Sequence, residues 1–349
     1  MNLPRAAPNR EGTPPGVRAD APALPPRGLL DHPLQLRTAL VVLVLLLALP
    51  ALASAFKQEF YIGLASRVLI FALAATSLNL ILGFGGMISF GHAAFLGLGA
   101  YTVGILVQSG LTSAWIAWPV AIGVCALFAT LVGAISLRTK GVYFIMITLA
   151  FAQMLYYVLV SLKAYGGEDG MTLSARSTLG AGIDLSQDIP FYYVALGAFA
   201  LAFLLIQRLL NARFGQALQA IRENETRMAA IGFAVFRYKL VAFAVAGALA
   251  GLAGVLVANQ GGFVSPSLLQ WNQSGMLMIM VILGGVGQLY GGLVGAAVFL
   301  LLEEVLSAYT IYWQFGLGGI ALFVFSFRKE LLGERTPRGP AGLPPPAAR

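Results

Sequence analysis

Long apolar blocks, separated by short polar or glycine-rich segments, occupy most of this chain. A helix rises about 1.5 Å per residue, so roughly 20 apolar residues cross a hydrocarbon core about 30 Å thick. Several blocks approach that length, and the stretch 38–56 carries no charged residue. The pattern predicts about ten membrane-spanning helices, at approximately 38–56, 61–82, 85–107, 115–137, 142–162, 190–210, 239–258, 274–289, 291–309 and 311–327.

The eighth predicted span is short, and the run GGVGQLYGG (284–292) separates it from the ninth. Helices interrupted by glycine at membrane depth occur where they face protein or a water-filled cavity. This pair is therefore compatible with a broken or re-entrant hairpin as well as with two full spans. The sequence predicts an all-α polytopic membrane protein with about eight to ten helices.

The two ends of the chain differ from the apolar region. Residues 1–37 and 331–349 are rich in proline and lack periodicity, which predicts disordered tails on either side of a membrane domain at 38–330. The first apolar block is too long, and too far along the chain, for a secretory signal peptide. Most of the 22 basic residues fall in these tails and in the connections near 138–140 and 208–239. The positive-inside rule therefore predicts that both termini are cytoplasmic.

Composition supports the membrane prediction. Only 10% of the residues are charged and 58% are hydrophobic, whereas a soluble domain averages about 25% charged residues. The net charge of +8 is explained by basic connections at the membrane surface, so nucleic acid is not an expected partner. The single cysteine, Cys125, excludes an intrachain disulfide and is typical of a small buried apolar residue.

Residues that could carry chemistry are few. No lysine stands in the Gly-Lys-Ser/Thr context of a P-loop, no Cys/His cluster could hold a metal, and no nucleophile–base pair indicates an enzyme. Active transport would therefore need an ion gradient or a partner protein. Away from the ends of the predicted spans, the acidic, basic and histidine residues are Arg67, His92, Glu303 and Glu304. Pairing near the membrane surface, or packing in the case of His92, explains them as well as an ion pathway does.

The longest internal polar segment, about 211–238, has helical periodicity. An apolar stripe runs along it, interrupted at Asn224 and formed by Ala217, Ile221, Met228 and Ile231. A helix with this stripe could rest on the membrane surface, or it could dock into a groove of a soluble partner. The spacing alone leaves both alternatives open.

Six segments stand out as motifs: GFGGMISFGHAAFLGLGAYTVGIL (83–106), ALQAIRENETRMAAIGF (217–233), KLVAFAVAGALAGLAGVL (239–256), SPSLL (265–269), VILGGVGQLYGGLVGAAV (281–298) and LLEE (301–304). In order and spacing, this set resembles the branched-chain amino acid ABC permeases of the LivM type. The resemblance covers roughly residues 60 to 330. It implies the architecture of an ABC importer permease and identifies the segment 211–238 as a coupling loop.

The resemblance also implies roles for particular residues. The candidates for contact with an ATPase are Ile221, Glu225, Met228, Ala229, Ala230 and Gly232. The candidates for the wall of the solute path are Gly86, Ser89, Gly91, His92, Gly284, Gly285 and Glu303. The loop 163–190 matches the family's external segment, and its candidates for contact with a solute-binding protein are Gly166, Glu168, Asp169 and Gly170.

The family mechanism implied by the resemblance assigns ATP and Mg²⁺ to partner subunits and no cofactor to this chain. The implied partners are a second permease of the LivH type, two ABC ATPase subunits, a periplasmic solute-binding protein and lipid of the bacterial inner membrane. The implied solutes are branched-chain or related small amino acids. Two alternatives stay open at this point: a permease for urea or short amides, and an ion-coupled secondary transporter.

Overall fold

The computed structural model describes residues 36–55, 60–178, 180, 185, 187–309, 312, 314–316 and 318–319. Helices dominate these residues. They are α1 (Leu36–Ala55), α2 (Phe60–Asn79), α3 (His92–Gln108), α4 (Ala114–Ser136), α5 (Val142–Ser161), α6 (Asp188–Asn211), α7 (Arg213–Glu223), α8 (Glu225–Ala230), α9 (Val235–Gly261), α10 (Trp271–Gly284) and α11 (Gly291–Tyr309).

Among the described residues, six helices are long and apolar enough to cross a membrane. They are α2 with its continuation to Phe84, α4, α5, α6, α9 and α11. Three shorter apolar helices accompany them, at Leu40–Ala51 within α1, at α3 and at α10. The tenth predicted span, 311–327, and most of both predicted tails lie outside the described residues. The count of eight to ten spans therefore stays a prediction.

The bundle has buried central helices and exposed outer ones. Of the apolar stretch in α2, 78% is buried, and the corresponding share for α9 is 61%. For α5 it is only 22%. Large apolar side chains cover the outward faces of the outer helices, such as Trp115 and Leu127 on α4 and Met146 on α5. Such faces suit contact with lipid, because an apolar surface of this extent is not stable in water.

Glycines bring the central helices α3 and α9 into close contact. A Cβ atom at Gly254 of α9 would lie 1.8 Å from the carbonyl oxygen of Leu96, and one at Gly99 of α3 would lie 2.2 Å from the oxygen of Gly251. No side chain fits at either position. Small residues of this kind allow helix backbones to touch within a membrane.

Two predicted helix boundaries are wrong, and glycine is the reason in both cases. The third predicted span began at residue 85, but α3 begins only at His92. The eighth was predicted to reach 289, but α10 ends at Gly284. Gly86 has φ +67° and Gly285 has φ +107°. Residues with side chains rarely adopt these angles, and a helix cannot continue through them.

These boundaries leave two non-helical segments within the bundle, the first break (85–91) and the second break (285–290). Before the first break, α2 continues as a π-helical turn, Leu80–Phe84, in which the amide of Gly85 donates to the carbonyl of Leu80 at 3.1 Å. After the second break, α11 packs back against α10. Of the two helices around the second break, α10 is short and α11 is long enough to cross a membrane. The backbone is thus broken at 285–290, and whether this pair forms a re-entrant hairpin stays a prediction.

The prediction of an all-α fold needs one small correction. Strand β1 (Met171–Thr172) pairs with β2 (Phe263–Val264) in an antiparallel sheet. The sheet ties the α5–α6 connection to the α9–α10 connection at one end of the bundle, which we name the sheet end. The other end carries α7 and α8 between α6 and α9, and we name it the α7 end.

Candidate functional site

The segment that connects α6 to α9 folds into two helices at the α7 end. Asn224 separates α7 from α8 with an extended backbone (φ −154°, ψ 96°). Its side-chain oxygen accepts a hydrogen bond from the amide of Arg227 at 2.9 Å, which caps α8. Such a cap satisfies an amide that has no partner within the first helical turn. The interruption at Asn224 therefore divides the predicted amphipathic helix into two.

The apolar stripe of this segment faces the chain's own membrane domain. Ala217 is 7% exposed, Ile221 1% and Met228 9%, whereas Ile231 is 63% exposed. Helix α7 packs against α6, α9 and the π-helical turn of α2. In this structure the first three residues of the stripe are therefore covered by the chain's own helices, not by lipid or a soluble partner. Ile221 and Met228, predicted to contact an ATPase, are buried within this chain.

The surface beyond α8 is open and partly apolar. Ala229 and Ala230 are exposed, and a Cβ atom at Gly232, which has φ +90°, would meet no neighbour within 4 Å. Phe233 is 39% exposed beside the still more exposed Ile231. We name residues 229–233 the α8 patch. An exposed apolar surface outside the membrane-spanning helices is typical of a contact with another protein or with the membrane surface.

Glu225 fixes the start of α8 to two other elements. Its carboxylate lies 2.9 Å from Lys239 Nζ on α9 and 3.3 Å from Lys140 Nζ in the α4–α5 connection. Burial raises the pKa of Glu225, but the hydrogen bonds and charges of Lys239 and Lys140 together outweigh that effect. The pKa therefore lies below its ordinary value of 4.5. The ion cluster holds the α8 patch in position relative to α9 and the α4–α5 connection.

Glu225→Gln should lower stability at neutral pH but not in acid. Because the folded state lowers the pKa of Glu225, the carboxylate contributes stability above pH 4.5, its ordinary value, and loses it as the pH falls through the lowered value. The difference in melting temperature between wild type and variant, measured in detergent from pH 7 downward, should therefore stay constant and then shrink below pH 4.5. Glu223→Gln, at an exposed position two residues away, is the control. If the difference in melting temperature between wild type and Glu225→Gln grew in acid, the ionised Glu225 would not be stabilising the fold.

A polar junction joins the two breaks to α7. Asn79 of α2 donates to the carbonyl of Gln288 at 2.8 Å and accepts from the amide of Gly287 at 2.9 Å. On the opposite side, Arg222 of α7 donates from Nη1 to the carbonyl of Gly83. We name Asn79, Gly83, Gly287 and Arg222 the junction. It connects residues from α2, α7 and the second break.

Four predicted path residues lie in or just after the first break. Gly86 is exposed beside Arg222, whereas Ser89 and His92 are 0% exposed. His92 Nε2 lies 2.9 Å from Ser77 Oγ on α2. A Cβ at Gly91 would lie 2.3 Å from the carbonyl oxygen of Thr148 on α5. The structure thus places His92 against α2, Gly91 against α5 and Gly86 against α7. The role of all four residues in solute transport stays a prediction.

The remaining path candidates divide into two locations. Gly284 and Gly285 border the second break, and a Cβ at Gly284 would lie 1.8 Å from the carbonyl oxygen of Gly291. Glu303 lies in the second half of α11, where it pairs with Arg67 Nη2 of α2 at 3.2 Å. Glu303 is therefore not part of the same site as the glycines.

The predicted contacts for a solute-binding protein lie in a compact loop at the sheet end. Gly166 and Gly170 have φ +89° and +80°, and a Cβ at Gly166 would lie 1.8 Å from the carbonyl oxygen of Gly170. Glu168 and Asp169, between them, are exposed. Because β1 begins directly after Gly170, its pairing with β2 holds this acidic tip against the bundle.

Sequence reasoning missed Asn79, Lys140, Lys239 and the role of Arg222 at the junction. Asn79 offered a signal, because a polar amide within an apolar span is costly unless it finds hydrogen-bond partners. The basic residues offered none, since they were indistinguishable from other charges at the membrane surface. Among the described residues, no group of three or more His, Cys, Asp or Glu side chains could hold a metal ion. The absence of a cofactor in this chain stays a prediction.

The known proteins that this chain resembles are all described as permeases. The family described as branched-chain amino acid transport system, permease component, matches residues 60–325. The LivM permease proteins of high-affinity branched-chain amino acid transport in Salmonella typhimurium and Escherichia coli are each 28% identical, over 83% of this chain and 73% and 72% of their own lengths. The autoinducer 2 import permease LsrC of Yersinia pseudotuberculosis is 26% identical over 69% of this chain and 70% of its own length. No solved structure matches.

Proposed function

The chain belongs to the permease-component family of branched-chain amino acid transport systems, and on this basis we propose that it imports branched-chain or related small amino acids as one membrane subunit of an ATP-driven transporter. The family is of the ABC type, in which a permease depends on other subunits. The similarity of LivM proteins over most of the chain supports the amino acid. The similarity of an autoinducer 2 permease leaves room for a different small solute, which a transport experiment can distinguish.

The α8 patch is the observation that carries the proposed coupling to ATP. It presents Ile231 and Phe233 to solvent beside the exposed Ala229 and Ala230. A partner that covered this patch would bury apolar surface, which favours association. In our proposal the partner is a pair of ATPase subunits, and the α7 end is cytoplasmic. The arginines of this end, such as Arg213 and Arg227, agree with the positive-inside rule.

The proposed cycle needs ATP to bind one state of the transporter more tightly than the other. A ligand with equal affinity for both states would shift no equilibrium. In the cycle, ATP closes the partner subunits and thereby displaces α7 and α8. The ion cluster of Glu225 with Lys140 and Lys239 would carry that displacement to α9 and the α4–α5 connection. The breaks beside α2 and α10 would then change the solute path.

We also propose two partners beyond the ATPases. A second permease of the LivH type would form the other wall of the solute path. A periplasmic binding protein would deliver the solute at the sheet end, where Glu168 and Asp169 form an exposed acidic tip. A tip held by a backbone sheet loses little entropy when it is bound, which favours recognition.

Transport in reconstituted vesicles tests the proposed function. The chain is co-expressed with the transporter genes adjacent to its own, and leucine uptake is measured with and without ATP for wild type, Ala229→Arg and Gly232→Pro. A long charged side chain at Ala229 should prevent docking, and proline cannot adopt the positive φ of Gly232. We expect ATP-dependent uptake in wild type and its loss in both variants. Ala229→Ser, which keeps the patch small, should behave like wild type.

Other results of the uptake experiment would each contradict a different part of the proposed function. Uptake that does not depend on ATP would overturn the proposed importer and favour an ion-coupled carrier. Full uptake by Ala229→Arg would show that the partner does not cover the α8 patch. If leucine is not transported but autoinducer 2, urea or a short amide is, the transporter class stands and the amino acid specificity is wrong.

A further inference from the structure

Arg222 connects α7 to the two helix breaks through contacts that do not involve the ion pairs of Glu225. We propose that Arg222 is a positioning residue that transmits movement of α7 to the first and second breaks, and so couples the partner ATPases to the solute path. The inference rests on the proposed function and adds the residue through which the coupling acts.

A hydrogen bond from Arg222 holds α7 to the end of α2. Its Nη1 donates to the carbonyl of Gly83, in the π-helical turn that ends α2. The last carbonyl groups of a helix lack partners within the helix and carry the negative end of its dipole. A guanidinium group therefore binds there with a charge-assisted hydrogen bond, which is stronger than one between neutral groups.

The Arg222 side chain can contact both breaks because a glycine lies beside it in each of them. A Cβ at Gly86 would lie 2.9 Å from Arg222 Cγ, so the arginine stem rests directly on the first break. A Cβ at Gly287 would lie 3.3 Å from Arg222 Nη1, so the guanidinium borders the second break. Asn79 then binds the second break to α2 through Gly287 and Gln288. A displacement of Arg222 therefore acts on both breaks together.

The apolar packing of α7 and the ion cluster of α8 do not replace this bond when α7 moves away from the membrane domain. The buried residues of α7, including Leu218 and Ile221, pack against that domain. Apolar packing resists compression, but it is non-directional and does not fix a particular pair of atoms. The hydrogen bond of Arg222 resists separation of α7 from α2 along a defined direction. Glu225 ties α8 to Lys140 and Lys239. These three side chains line a cavity beside Gly86 of the first break, but they form no hydrogen bond with either break.

The test measures transport and hydrolysis in the same proteoliposomes. Wild type, Arg222→Ala, Arg222→Lys and Arg213→Ala are each assembled with the partner subunits, and ATP hydrolysis, solute uptake and co-purification of the ATPases are recorded. Arg213, at the other end of α7, has no side-chain hydrogen bond or ion pair with the described residues and controls for the loss of one charge. We expect Arg222→Ala to keep its partners and its hydrolysis while solute moved per ATP falls at least about fivefold, the lower end of usual coupling between linked sites.

Arg222→Lys keeps the charge and most of the aliphatic stem but lacks the planar guanidinium group, so we expect partial coupling of ATP hydrolysis to solute uptake.

A second experiment measures a distance within the permease and does not depend on transport activity. With Cys125 replaced by alanine, spin labels on Glu223→Cys and Val286→Cys report the distance between α7 and the second break. We expect one narrow distance in every nucleotide state of the otherwise wild-type chain, and a broader distribution that shifts with nucleotide in Arg222→Ala.

Three outcomes would overturn the inference. One is an unchanged ratio of solute to ATP in Arg222→Ala together with an unchanged label distance. Another is an equal loss of hydrolysis and uptake with loss of the ATPases, which would make Arg222 an assembly residue. The third is the absence of ATP-dependent uptake in wild type for every solute tried, which would overturn the proposed function as well. The first two outcomes leave the proposed function intact, so the two failures are distinguishable.

Discussion

Replacing Gly254 with valine should leave little folded protein in the membrane. A Cβ atom at this position would lie 1.8 Å from the carbonyl oxygen of Leu96 and 3.0 Å from the amide nitrogen of Ala100. Both are backbone atoms of α3, so no side-chain rotation can relieve the overlap. Forcing extra atoms into a packed core costs about 1–3 kcal/mol and occasionally more. Separation of α3 from α9 would affect the centre of the bundle, since α9 also packs against α2 and α4.

The effect of Gly254→Val is measured as the yield of monodisperse protein in detergent and as its melting temperature. Gly123→Val is the matched control, because a Cβ at Gly123 of α4 has no neighbour within 4 Å. Both changes add the same atoms to an apolar helix, so their difference isolates the contact between α3 and α9. Equal yields and melting temperatures for the two variants would show that α3 and α9 are farther apart than in this structure.

Asn79→Ala should both destabilise the protein and impair transport. Asn79 is 1% exposed, and its amide satisfies the amide of Gly287 and the carbonyl of Gln288. Removing it leaves these two backbone groups of the second break without that partner. A buried polar group that loses its hydrogen bond costs about 1–3 kcal/mol. The second break would then be released from α2, and its position relative to the first break would no longer be fixed.

Melting temperature and uptake per ATP together check the Asn79 prediction. Asn272→Ala is the control, since it removes an exposed amide from α10 that makes no side-chain hydrogen bond with the described residues. We expect a lower melting temperature and less uptake for Asn79→Ala, and values near wild type for Asn272→Ala. Asn79→Asp keeps the acceptor for Gly287 but loses the donor to Gln288, so it should also be impaired. A melting temperature equal to that of wild type for Asn79→Ala would show that the hydrogen bonds of Asn79 at the junction do not stabilise the fold.

Asn79 and Arg222 both contact the second break, and only Arg222 also contacts the first, which makes their variants informative together. Asn79 fixes the second break to α2 within the membrane domain, whereas Arg222 links α2 to α7 at its surface. Loss of Asn79 should therefore affect stability and transport. Loss of Arg222 should affect mainly the solute moved per ATP, because its guanidinium remains accessible to water when the bond is broken.

Most helices of the fold could be predicted from the sequence. The predicted spans at 142–162 and 291–309 agree with α5 and α11 to within one residue. Where the prediction was wrong, at the start of α3 and the end of α10, apolar residues continue past the helix boundary. Hydropathy does not detect the positive φ of Gly86 or Gly285, which is a property of the folded backbone.

The motif predicted where the candidate coupling site lies in the chain, but it did not predict which face of that segment packs against the bundle. The segment 217–233 does lie at one end of the bundle, and Ala229 and Ala230 are exposed as a partner contact requires. Periodicity identified the face of Ile221 and Met228 but could not tell what would cover it. Lipid, a partner and the chain's own core all favour the same apolar residues.

The sequence by itself determined that the chain is a helical membrane protein of this permease family, with a polar segment between α6 and α9. Those properties depend on local composition and on motifs, because each apolar block partitions into hydrocarbon independently of the others. Only the tertiary structure decided that Asn79 binds a turn 208 residues away and that Arg222 binds a carbonyl 139 residues away. Such contacts depend on how the helices pack, and no local pattern of apolar and polar residues specifies which distant backbone atoms a side chain will meet.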